Sequence, residues 1–559
     1  MTLAIFARRF AFLFILSGAA CIDRPGDTDG GETGGTLVIA LPGTGISPPF
    51  PPASVDNMSR MVVDQIYDRL AEIGPDLNTV GDRGYTPRLA RRWEWAPDSM
   101  SIVFHLDPRA RWHDGRPVRA TDVRFAVDLL KDPETATQYT SFLSNVDSAS
   151  VRDSLTVVAW FGTRSPLQFY QFVFNVYPLP EHLLKDIPRS RLATSGAAQR
   201  PVGSGPFRLA RLEPGVRIEL LADTTHYRGR PNLDRVLLTF AGDPNTALTQ
   251  LFSGQADFIE VVQPDVVPRL DSAENVRAVP YPTMGYGFMT MNTRDPERAN
   301  APHPIFGNRA VRRAISMAVD REAMLRNVYG AHGTLGHGPY PLALADTTVK
   351  PLPFDRTRAA ALLDSAGWRL NADGIRMKNG EPLAFSITVP TTSPGRMRYA
   401  VLIQEQLKNI GARVEIDAME FNASQERLMN GRFDATLAIV GQDPPRTGVA
   451  QFWTTSNKPP AGNNYGAYSN PTVDALLDSI AVTADPETAD AQWRRLSEMI
   501  VQDAPAIWLF EYTPVAGVHN RIRIEGMRGY AWWAELPDWW IPADERIDRD
   551  RIGLRPAQQ

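Results

Sequence analysis

Histidine, the commonest metal ligand and acid–base side chain in proteins, is scarce in this sequence. The 559 residues include eight histidines, of which only His332 and His337 lie close together. Both fall in AHGTLGHGPYP, a glycine-rich loop segment whose spacing of five is not a strong zinc pattern. We interpret them as loop residues, and a nickel site that uses them is kept as an alternative.

Motifs of nucleophilic and nucleotide chemistry are also missing from the sequence. The segment GSGPF, residues 203–207, lacks the G-x-S-x-G pattern of a nucleophile elbow. No Gly-Lys-Ser/Thr follows it as in a P-loop, and no G-x-G-x-x-G opens a helix. We therefore predict a tight turn at this segment, and neither a catalytic residue nor a cofactor in the chain.

The single cysteine, Cys21, directly follows a segment with the composition of a secretory signal. Arg8 and Arg9 precede the apolar run FAFLFILSGAA, which ends in small residues. A charged start, a short apolar core and a small-residue end are typical of a cleaved signal peptide, and the apolar run is too short to span a membrane. We predict a signal peptide at residues 1–20.

The cysteine also predicts attachment of the chain to a membrane. Its position after the small residues resembles a bacterial lipoprotein signal, in which that cysteine is lipidated, although Gly18 stands where such signals usually carry leucine. Residues 21–35 are polar and glycine-rich, which predicts a disordered tether behind a lipidated Cys21. An ordinary cleaved signal with an incidental thiol is the alternative.

The composition predicts a large globular body and no binding of nucleic acid. Hydrophobic residues make up 43% of the chain, and the formal net charge is −4, with both signs interspersed and no long basic run. Twelve tryptophans and fifteen tyrosines are present. The late segments QFWTTSNKPPAGNNYGAYSNP and YAWWAELPDWW combine flat rings with polar side chains, a combination that suits a ligand cleft.

The apolar pattern predicts the framework that would position these groups. TLVIAL and SIVFHL have the residues of buried strands, and MSRMVVDQIYDRL has apolar residues at helical spacing. Asn308, Asp320 and Asp355 are predicted N-caps, and Thr121 with Asp122 is predicted to cap another helix. Strands that alternate with helices of 10–15 residues indicate an α/β fold.

Several segments are similar, in the same order, to motifs of one known family. They are WEWAPDSMSIVFHLDPRARWHDGRPVRATDVRFAV, GSGPFRLARLEPGVRIELLADTTHYRGRPNLDRV, ALTQLFSGQADF, NRAVRRAISMAVDREAMLRNVYGAHGTLGHGPYP, RAAALLDSAGW and FDATL. The likeness spans about residues 36–545. The chain resembles the extracellular solute-binding proteins of family 5, which serve peptide, dipeptide and nickel ABC importers.

This resemblance implies an α/β, two-lobed periplasmic-binding-protein-like fold of type II, with an extra subdomain in lobe one. Lobe one would comprise residues 36–282, lobe two residues 283–507, and residues 508–559 would return to lobe one. Both crossings would lie in strands, near YGFMTMN and AIWLFEY. These strands are the predicted hinges, because a few element-terminal residues can absorb the dihedral changes of closure.

The resemblance further implies a monomeric, non-enzymatic protein that delivers a small solute, with a peptide as first choice, to an ABC-transporter permease. The protein would lie in the periplasm or at the cell surface, held to the membrane by its lipid anchor. In peptide-binding members, an aspartate after the FDATL-like strand pairs with the ligand's α-amino group. Asp443 in FDATLAIVGQDPPRT is the matching candidate, whereas the positions of Asp434 and Asp122 suggest structural capping. Further candidate ligand contacts are Tyr286, Asn292, Trp453, Tyr465, Trp532 and Trp533.

Other functions stay open at this stage. The same fold could bind an oligosaccharide, a nickel chelate, haem or an opine in place of a peptide. The protein could also present its ligand to a membrane receptor as a sensor, or act as a secreted hydrolase.

Overall fold

The computed structural model describes residues 33–551, apart from residues 44, 55, 138 and 299. The predicted signal peptide, Cys21 and most of the predicted tether therefore lie outside the described residues. No helix in the described part of the chain is both long and apolar enough to cross a membrane.

A seven-stranded mixed sheet forms the centre of lobe one. Its central strand Thr36–Leu41 is buried at every position and runs parallel to Arg235–Phe240, as expected of a strand covered on both faces. In spatial order the strands are Val276–Pro280, Val515–His519, Phe258–Ile259, Thr36–Leu41, Arg235–Phe240, Arg217–Ala222 and Phe207–Glu213. The strand Val515–His519 shows that the C-terminal segment returns to lobe one.

The extra subdomain of lobe one is a four-stranded antiparallel sheet. Its spatial order is Ala90–Trp95, Ser101–Leu106, Thr156–Phe161 and Val146–Asp153. Helix Ala120–Lys131 packs on the sheet, and Phe169 of the next long helix stacks among its aromatic side chains. A two-stranded ribbon, Ala71–Glu72 with Thr86–Pro87, connects this subdomain to the rest of the lobe.

A six-stranded mixed sheet forms the centre of lobe two. Its spatial order is Gly333–Thr334, Ala506–Tyr512, Gly285–Met291, Ala435–Gly441, Ala384–Pro390 and Arg413–Met419. A small three-stranded sheet at its periphery consists of Arg369–Leu370, Arg376–Lys378 and Glu381–Pro382.

Helices cover the sheets of both lobes. In lobe one the α-helices are Asn57–Ile66, Ala120–Lys131, Tyr139–Phe142, Gln168–Asn175, Glu181–Leu184, Gly196–Gln199, Pro244–Phe252 and Val267–Asp271. In lobe two they are Arg309–Met317, Arg321–Val328, Arg356–Ser365, Pro394–Lys408, Phe421–Met429, Ala450–Trp453, Pro471–Val482 and Pro486–Asp503. Short 3₁₀ helices are Pro51–Ala53, Pro133–Thr135, Arg189–Thr194, Arg446–Val449, Thr455–Asn457, Trp532–Asp538, Ala543–Glu545 and Asp548–Arg551.

The predicted helix caps agree with the structure in three cases and differ in one. The side chains of Asn308, Asp320 and Asp355 accept hydrogen bonds from backbone N–H groups of the helices they precede, which confirms these caps. The helix predicted to be capped by Thr121 and Asp122 begins earlier. Its N-cap is Arg119, and Asp122 at the third helical position accepts from the Arg119 backbone N–H, 2.8 Å away.

The chain passes between the two large sheets twice. It leaves the seven-stranded sheet after Pro280 and returns to it after the strand Ala506–Tyr512, so the connecting segments are residues 281–284 and 513–514. The boundary expected at 282/283 lies in the first segment. The boundary expected at 507/508 instead falls inside Ala506–Tyr512, because that strand stays paired with Gly285–Met291 as far as Phe510.

Candidate functional site

A cavity of about 490 Å³ lies where the two lobes face each other across both connecting segments. Its wall combines the helix Asn57–Ile66 of lobe one, the end of the strand Ala435–Gly441 of lobe two, and residues 528–533 of the returning segment. This volume falls within the 300–1,000 Å³ typical of small-ligand pockets. The cavity is therefore the candidate ligand site.

Asp443 lies at the lobe-two edge of this cavity. It follows the strand Ala435–Gly441, whose last residue pairs with Gly285, the first residue of the strand that enters lobe two. Gln442 fixes the backbone at this corner, since its N–H donates to the carbonyl of Met284, 3.1 Å away. The Asp443 side chain is 56% exposed, so its carboxylate is accessible from the cleft.

Arg60 faces Asp443 from lobe one. Its Nη1 lies 3.4 Å from Asp443 Oδ1, and within the described residues this is the only ion pair that joins the two lobes. The Arg60 guanidinium lies over the Phe174 ring, 4.5 Å from its centroid. Burial opposes the charge of Arg60 most strongly, but Asp443, Tyr177 and Asp64 together outweigh it and raise the pKa of Arg60, so the side chain stays protonated.

A buried ionic cluster supports the lobe-one wall beneath Arg60. Arg69 Nη2 lies 3.0 Å from Asp64 Oδ1, and Arg69 also contacts Glu72. The hydroxyl of Tyr177 donates to the same Asp64 carboxylate over 2.5 Å. Each charge in this cluster has an oppositely charged or polar partner, which offsets part of the cost of burying it and lets the cluster hold the wall rigid.

Trp532 and Trp533 form the part of the wall contributed by the returning segment. The indole Nε1 of Trp533 donates to Asp64 Oδ2 over 2.8 Å, and the Trp533 carbonyl accepts from Gln65 Nε2. Trp532 stacks on Phe258, with ring centroids 4.6 Å apart. Both tryptophans line the cavity although each is at most 5% exposed, so they present rigid apolar surface to it.

Trp453 and Tyr465 lie together, but in a different place. They line a small cavity of about 20 Å³ inside lobe two, beside Phe288. The Trp453 ring packs edge-on against Trp508 with centroids 5.2 Å apart, and the side chain is 2% exposed. The structure therefore does not bring this pair to the wall of the cleft cavity that holds Asp443.

Tyr286 and Asn292 are buried in lobe two. The Tyr286 hydroxyl donates to the carbonyl of Pro339 over 2.7 Å. Asn292 is completely buried, and its amide donates to the carbonyls of Gly431 and Phe433. Neither side chain lines the cleft cavity, because Tyr286 lies in the strand Gly285–Met291, which is covered on its two faces, and Asn292 is buried directly after that strand.

Asp434 and Asp122 both have structural roles, but only Asp122 takes part in the helix capping expected of the two. Asp434 accepts from the backbone N–H of Ser386 over 2.8 Å and lies 3.1 Å from the Nε2 of His303. Asp122 accepts from Trp112 Nε1 as well as from the N-cap backbone of its helix. Both carboxylates hold local structure away from the cleft cavity.

The remaining sequence candidates concern metal binding and the GSGPF segment. Within residues 33–551, as far as they are described, no group of three or more His, Cys, Asp or Glu side chains is placed to hold a metal ion. GSGPF forms a bend at 205–206 rather than a tight turn. Gly203 and Gly205 lie there against the carbonyl of Ile66, to which the Gly205 N–H donates.

Residues 84–461 match the family model described as bacterial extracellular solute-binding proteins, family 5 Middle. This match covers most of the chain. The protein belongs to family 5 of the bacterial extracellular solute-binding proteins.

Relatives of this family 5 protein are similar over nearly their whole length. The oligopeptide-binding protein AppA of Bacillus subtilis is 24% identical over 503 residues, which cover 87% of this chain and 88% of AppA. The structure of AppA in complex with a nonapeptide superposes with a TM-score of 0.72 at 22% identity, covering 91% of this chain and 99% of that one.

Two further solved structures share the fold. The ABC transporter substrate-binding protein CtaP of Listeria monocytogenes gives a TM-score of 0.78 at 20% identity, with 91% of this chain and 99% of that chain covered. NikZ of Campylobacter jejuni in complex with Ni(L-His) gives 0.74 at 21% identity, with 90% and 99% covered. At these identities the likeness establishes the two-lobed α/β fold of this family 5 protein.

Sequence reasoning missed several groups at the cleft of this family 5 protein. Tyr530 lies in the segment YAWWAELPDWW that was expected to suit a cleft, whereas four other residues line the cavity and were not predicted: Arg60, Glu260, Gln442 and Arg528. Their one shared signal is that they are polar residues next to predicted apolar elements. That signal is common on any protein surface, and only the packing of the lobes singles them out.

Proposed function

We propose that this protein captures a small solute, a peptide by first choice, in the cleft between its lobes and delivers it to the permease of an ABC transporter. The observation that carries the proposal is the cavity of about 490 Å³, whose wall comes from both lobes and both connecting segments. A ligand that contacts both lobes favours the closed state over the open one. Binding is therefore coupled to closure in this geometry.

Closure supplies both affinity and selectivity. The connecting segments 281–284 and 513–514 are the proposed hinges, in place of the strands near YGFMTMN and AIWLFEY, since a few residues between two rigid sheets can absorb the change in dihedral angles. A closed cleft removes the ligand from water and penalises every polar group that it leaves unpaired. A permease that recognises the closed form would then receive only a loaded protein.

The choice of a peptide rests on Asp443 and on the relatives. A half-exposed carboxylate at the cleft edge can pair with an α-amino group, and Trp532 and Trp533 offer apolar surface to side chains. AppA is named as an oligopeptide-binding protein, and its structure holds a nonapeptide. The protein in this proposal binds and releases its ligand without turnover.

The same proposal places the protein outside the cytoplasmic membrane on a lipid anchor at Cys21. The signal-like segment that ends at residue 20 supports this placement. Metabolic labelling with palmitate should mark the wild type, and Cys21→Ser should release the protein from the membrane fraction. A Cys21→Ser variant that still incorporates palmitate, or that stays in the membrane fraction, would contradict a lipid anchor at Cys21.

Native mass spectrometry of the purified mature protein tests the solute class. We expect mass increments that match short peptides, and their loss in Asp443→Ala. Asp478→Ala is the matched control, because Asp478 is an exposed carboxylate on a lobe-two helix away from the cleft. Mass increments that match a sugar or a metal chelate would refute the proposal that the solute is a peptide. Hydrolysis of an added peptide library would refute the proposal that the protein binds its ligand without turnover.

A further inference from the structure

The two arginines that stack on Phe174 differ in how their charges are compensated. Arg60 and Arg69 lie 4.5 and 4.7 Å from the centroid of the same ring. Arg69 has Asp64 and Glu72 of its own lobe as ion-pair partners. Among the described residues Arg60 has no ion-pair partner within lobe one, so lobe one by itself leaves this guanidinium without a contacting carboxylate at the cleft.

The single partner of Arg60 is a weak one. One nitrogen of the guanidinium meets one oxygen of Asp443 at 3.4 Å, and the Asp443 side chain is 56% exposed. A strong arginine–carboxylate pair is bidentate, with N···O distances of about 2.7–2.9 Å. The contact with Asp443 therefore uses little of the binding capacity of Arg60.

Part of that capacity is unused. The Nη2 of Arg60 is shielded from solvent and has no hydrogen-bond acceptor in the described part of the chain. A buried N–H group without an acceptor is unfavourable by about 1–3 kcal/mol, so an acceptor brought by a ligand would bind favourably. The Arg60 side chain is only 18% exposed and is stacked on Phe174, which holds its planar fork in place before a ligand arrives.

We propose that Arg60 is the anion-binding residue of the cleft and that it determines specificity for a solute with a carboxylate. The inference rests on the proposed function, in which the cleft holds a solute. Arg60 would bind the carboxylate in bidentate fashion, while Asp443 pairs with the amino group of the same molecule. Because the two side chains lie within contact distance across the cleft, both charged ends of one short zwitterionic peptide can reach them.

Two parts of a peptide could supply the carboxylate: its C-terminus or an acidic side chain near its N-terminus. A matched set of tripeptides separates them. The set contains Leu-Ala-Leu, its C-terminal amide, its N-acetyl derivative and Leu-Glu-Leu amide. Binding of each to the ligand-stripped protein is measured by calorimetry, together with capture from a mixed library of free and amidated dipeptides to nonapeptides, read by native mass spectrometry.

In the wild type we expect Leu-Ala-Leu to bind at least about tenfold more tightly than its amide, as the loss of one charged hydrogen-bonding partner predicts. Arg60→Gln should bind the two equally, and Arg60→Lys should keep part of the preference, since it retains the charge without the planar fork. Arg398→Gln is the control, because Arg398 is an exposed lobe-two arginine outside the cleft. Tight binding of Leu-Glu-Leu amide would identify a side-chain carboxylate as the source.

The outcomes separate this inference from the proposed function. Peptides captured without any preference for a carboxylate would overturn the role of Arg60 and leave peptide binding intact. The same holds if Arg60→Gln binds Leu-Ala-Leu as tightly as the wild type or more tightly, because Arg60 would then only compete for Asp443. A wild type that captures no library member would overturn the proposed peptide function itself. The wild-type comparison needs no variant, so it decides the question even if Arg60→Gln folds poorly.

Discussion

The indole Nε1 of Trp533 donates to Asp64 Oδ2 over 2.8 Å, which joins the returning C-terminal segment to the helix Asn57–Ile66 at the wall of the cleft. The same carboxylate pairs with Arg69 and accepts from Tyr177. One buried side chain thus fixes three groups that come from distant parts of the sequence. The cleft wall in lobe one is consequently one rigid unit rather than a set of loops.

We expect Asp64→Ala to lower the free energy of unfolding by about 3–5 kcal/mol, because it leaves the buried guanidinium of Arg69 without its nearest carboxylate. Urea denaturation followed by tryptophan fluorescence measures this change. Asp128→Ala is the control, since Asp128 is 57% exposed and contacts Arg124 only at 4.0 Å. Equal stability of the two variants would contradict the role given to Asp64.

A second prediction concerns the close approach of Gly203 to the end of the helix that carries Arg60. A Cβ atom at Gly203 would lie 1.9 Å from the carbonyl oxygen of Ile66, so the backbone itself would have to move. Overpacking of this kind destabilises by about 1–3 kcal/mol, and we expect Gly203→Ala to do so in thermal unfolding. Gly196→Ala is the control, because a Cβ there meets nothing within 4 Å. A Gly203→Ala variant as stable as Gly196→Ala would contradict the close approach.

Local features of the fold were predictable from the sequence. The caps Asn308, Asp320 and Asp355 depend on residues within one helical turn, and the pattern around them identifies them. The strand before Asp443 was also identified from a local pattern, the segment FDATLAIV. This strand placed Asp443 just beyond a strand end. The two-lobed architecture came from the family resemblance.

The composition of the cleft was not predictable in the same way. Arg60 meets Phe174 of the subdomain and Asp443 of lobe two, and no local pattern links residues so far apart in the chain. Tyr286 and Asn292 are the opposite case: they were expected at the cleft, and the structure buries them in lobe two. The strand Gly285–Met291, which carries Tyr286 and ends just before Asn292, is buried on both faces, so alternation along it does not tell which side chains face a cleft and which face the core.

A third prediction concerns the attachment of the C-terminal segment to the central strand of lobe one. Asp257 is completely buried and pairs with Arg521, with Nε 2.8 Å from Oδ1, while its Oδ2 accepts from the backbone N–H of Val38. Asp257→Ala would leave a buried guanidinium with one partner fewer, so we expect a loss of about 3–5 kcal/mol in unfolding free energy.

Urea titrations of the wild type, Asp257→Ala and the control Asp265→Ala, all carried out at low and at high salt, check this third prediction. The loss in Asp257→Ala should be nearly the same at both salt concentrations, because salt screens a buried pair poorly. Asp265 is a suitable control because it lies nearby in sequence and outside the buried pair. If the loss of unfolding free energy disappears in high salt, the Asp257–Arg521 pair is exposed, and its proposed role as a buried attachment is refuted.

The last prediction concerns Glu511, which lies next to the second connecting segment. Burial raises the pKa of its carboxyl from 4.5 to about 7, although the backbone N–H of Leu342 donates to it. Between about pH 4.5 and 7 the folded protein therefore binds more protons at this site than the unfolded chain. Stability contributed by Glu511 is complete below that range and decreases as the pH rises through it, by up to about 3 kcal/mol.

Urea titrations at pH 4.5, 5.5, 6.5 and 7.5 should show this decrease in the wild type. Glu511→Gln should be less sensitive to pH over the same range, because glutamine keeps an acceptor for the Leu342 N–H but does not titrate. Glu487→Gln, at an exposed position in the first turn of a lobe-two helix, should keep the wild-type slope. Parallel pH profiles for the wild type and Glu511→Gln would show that Glu511 ionises at its ordinary pKa, and would place the pH sensitivity of the protein elsewhere.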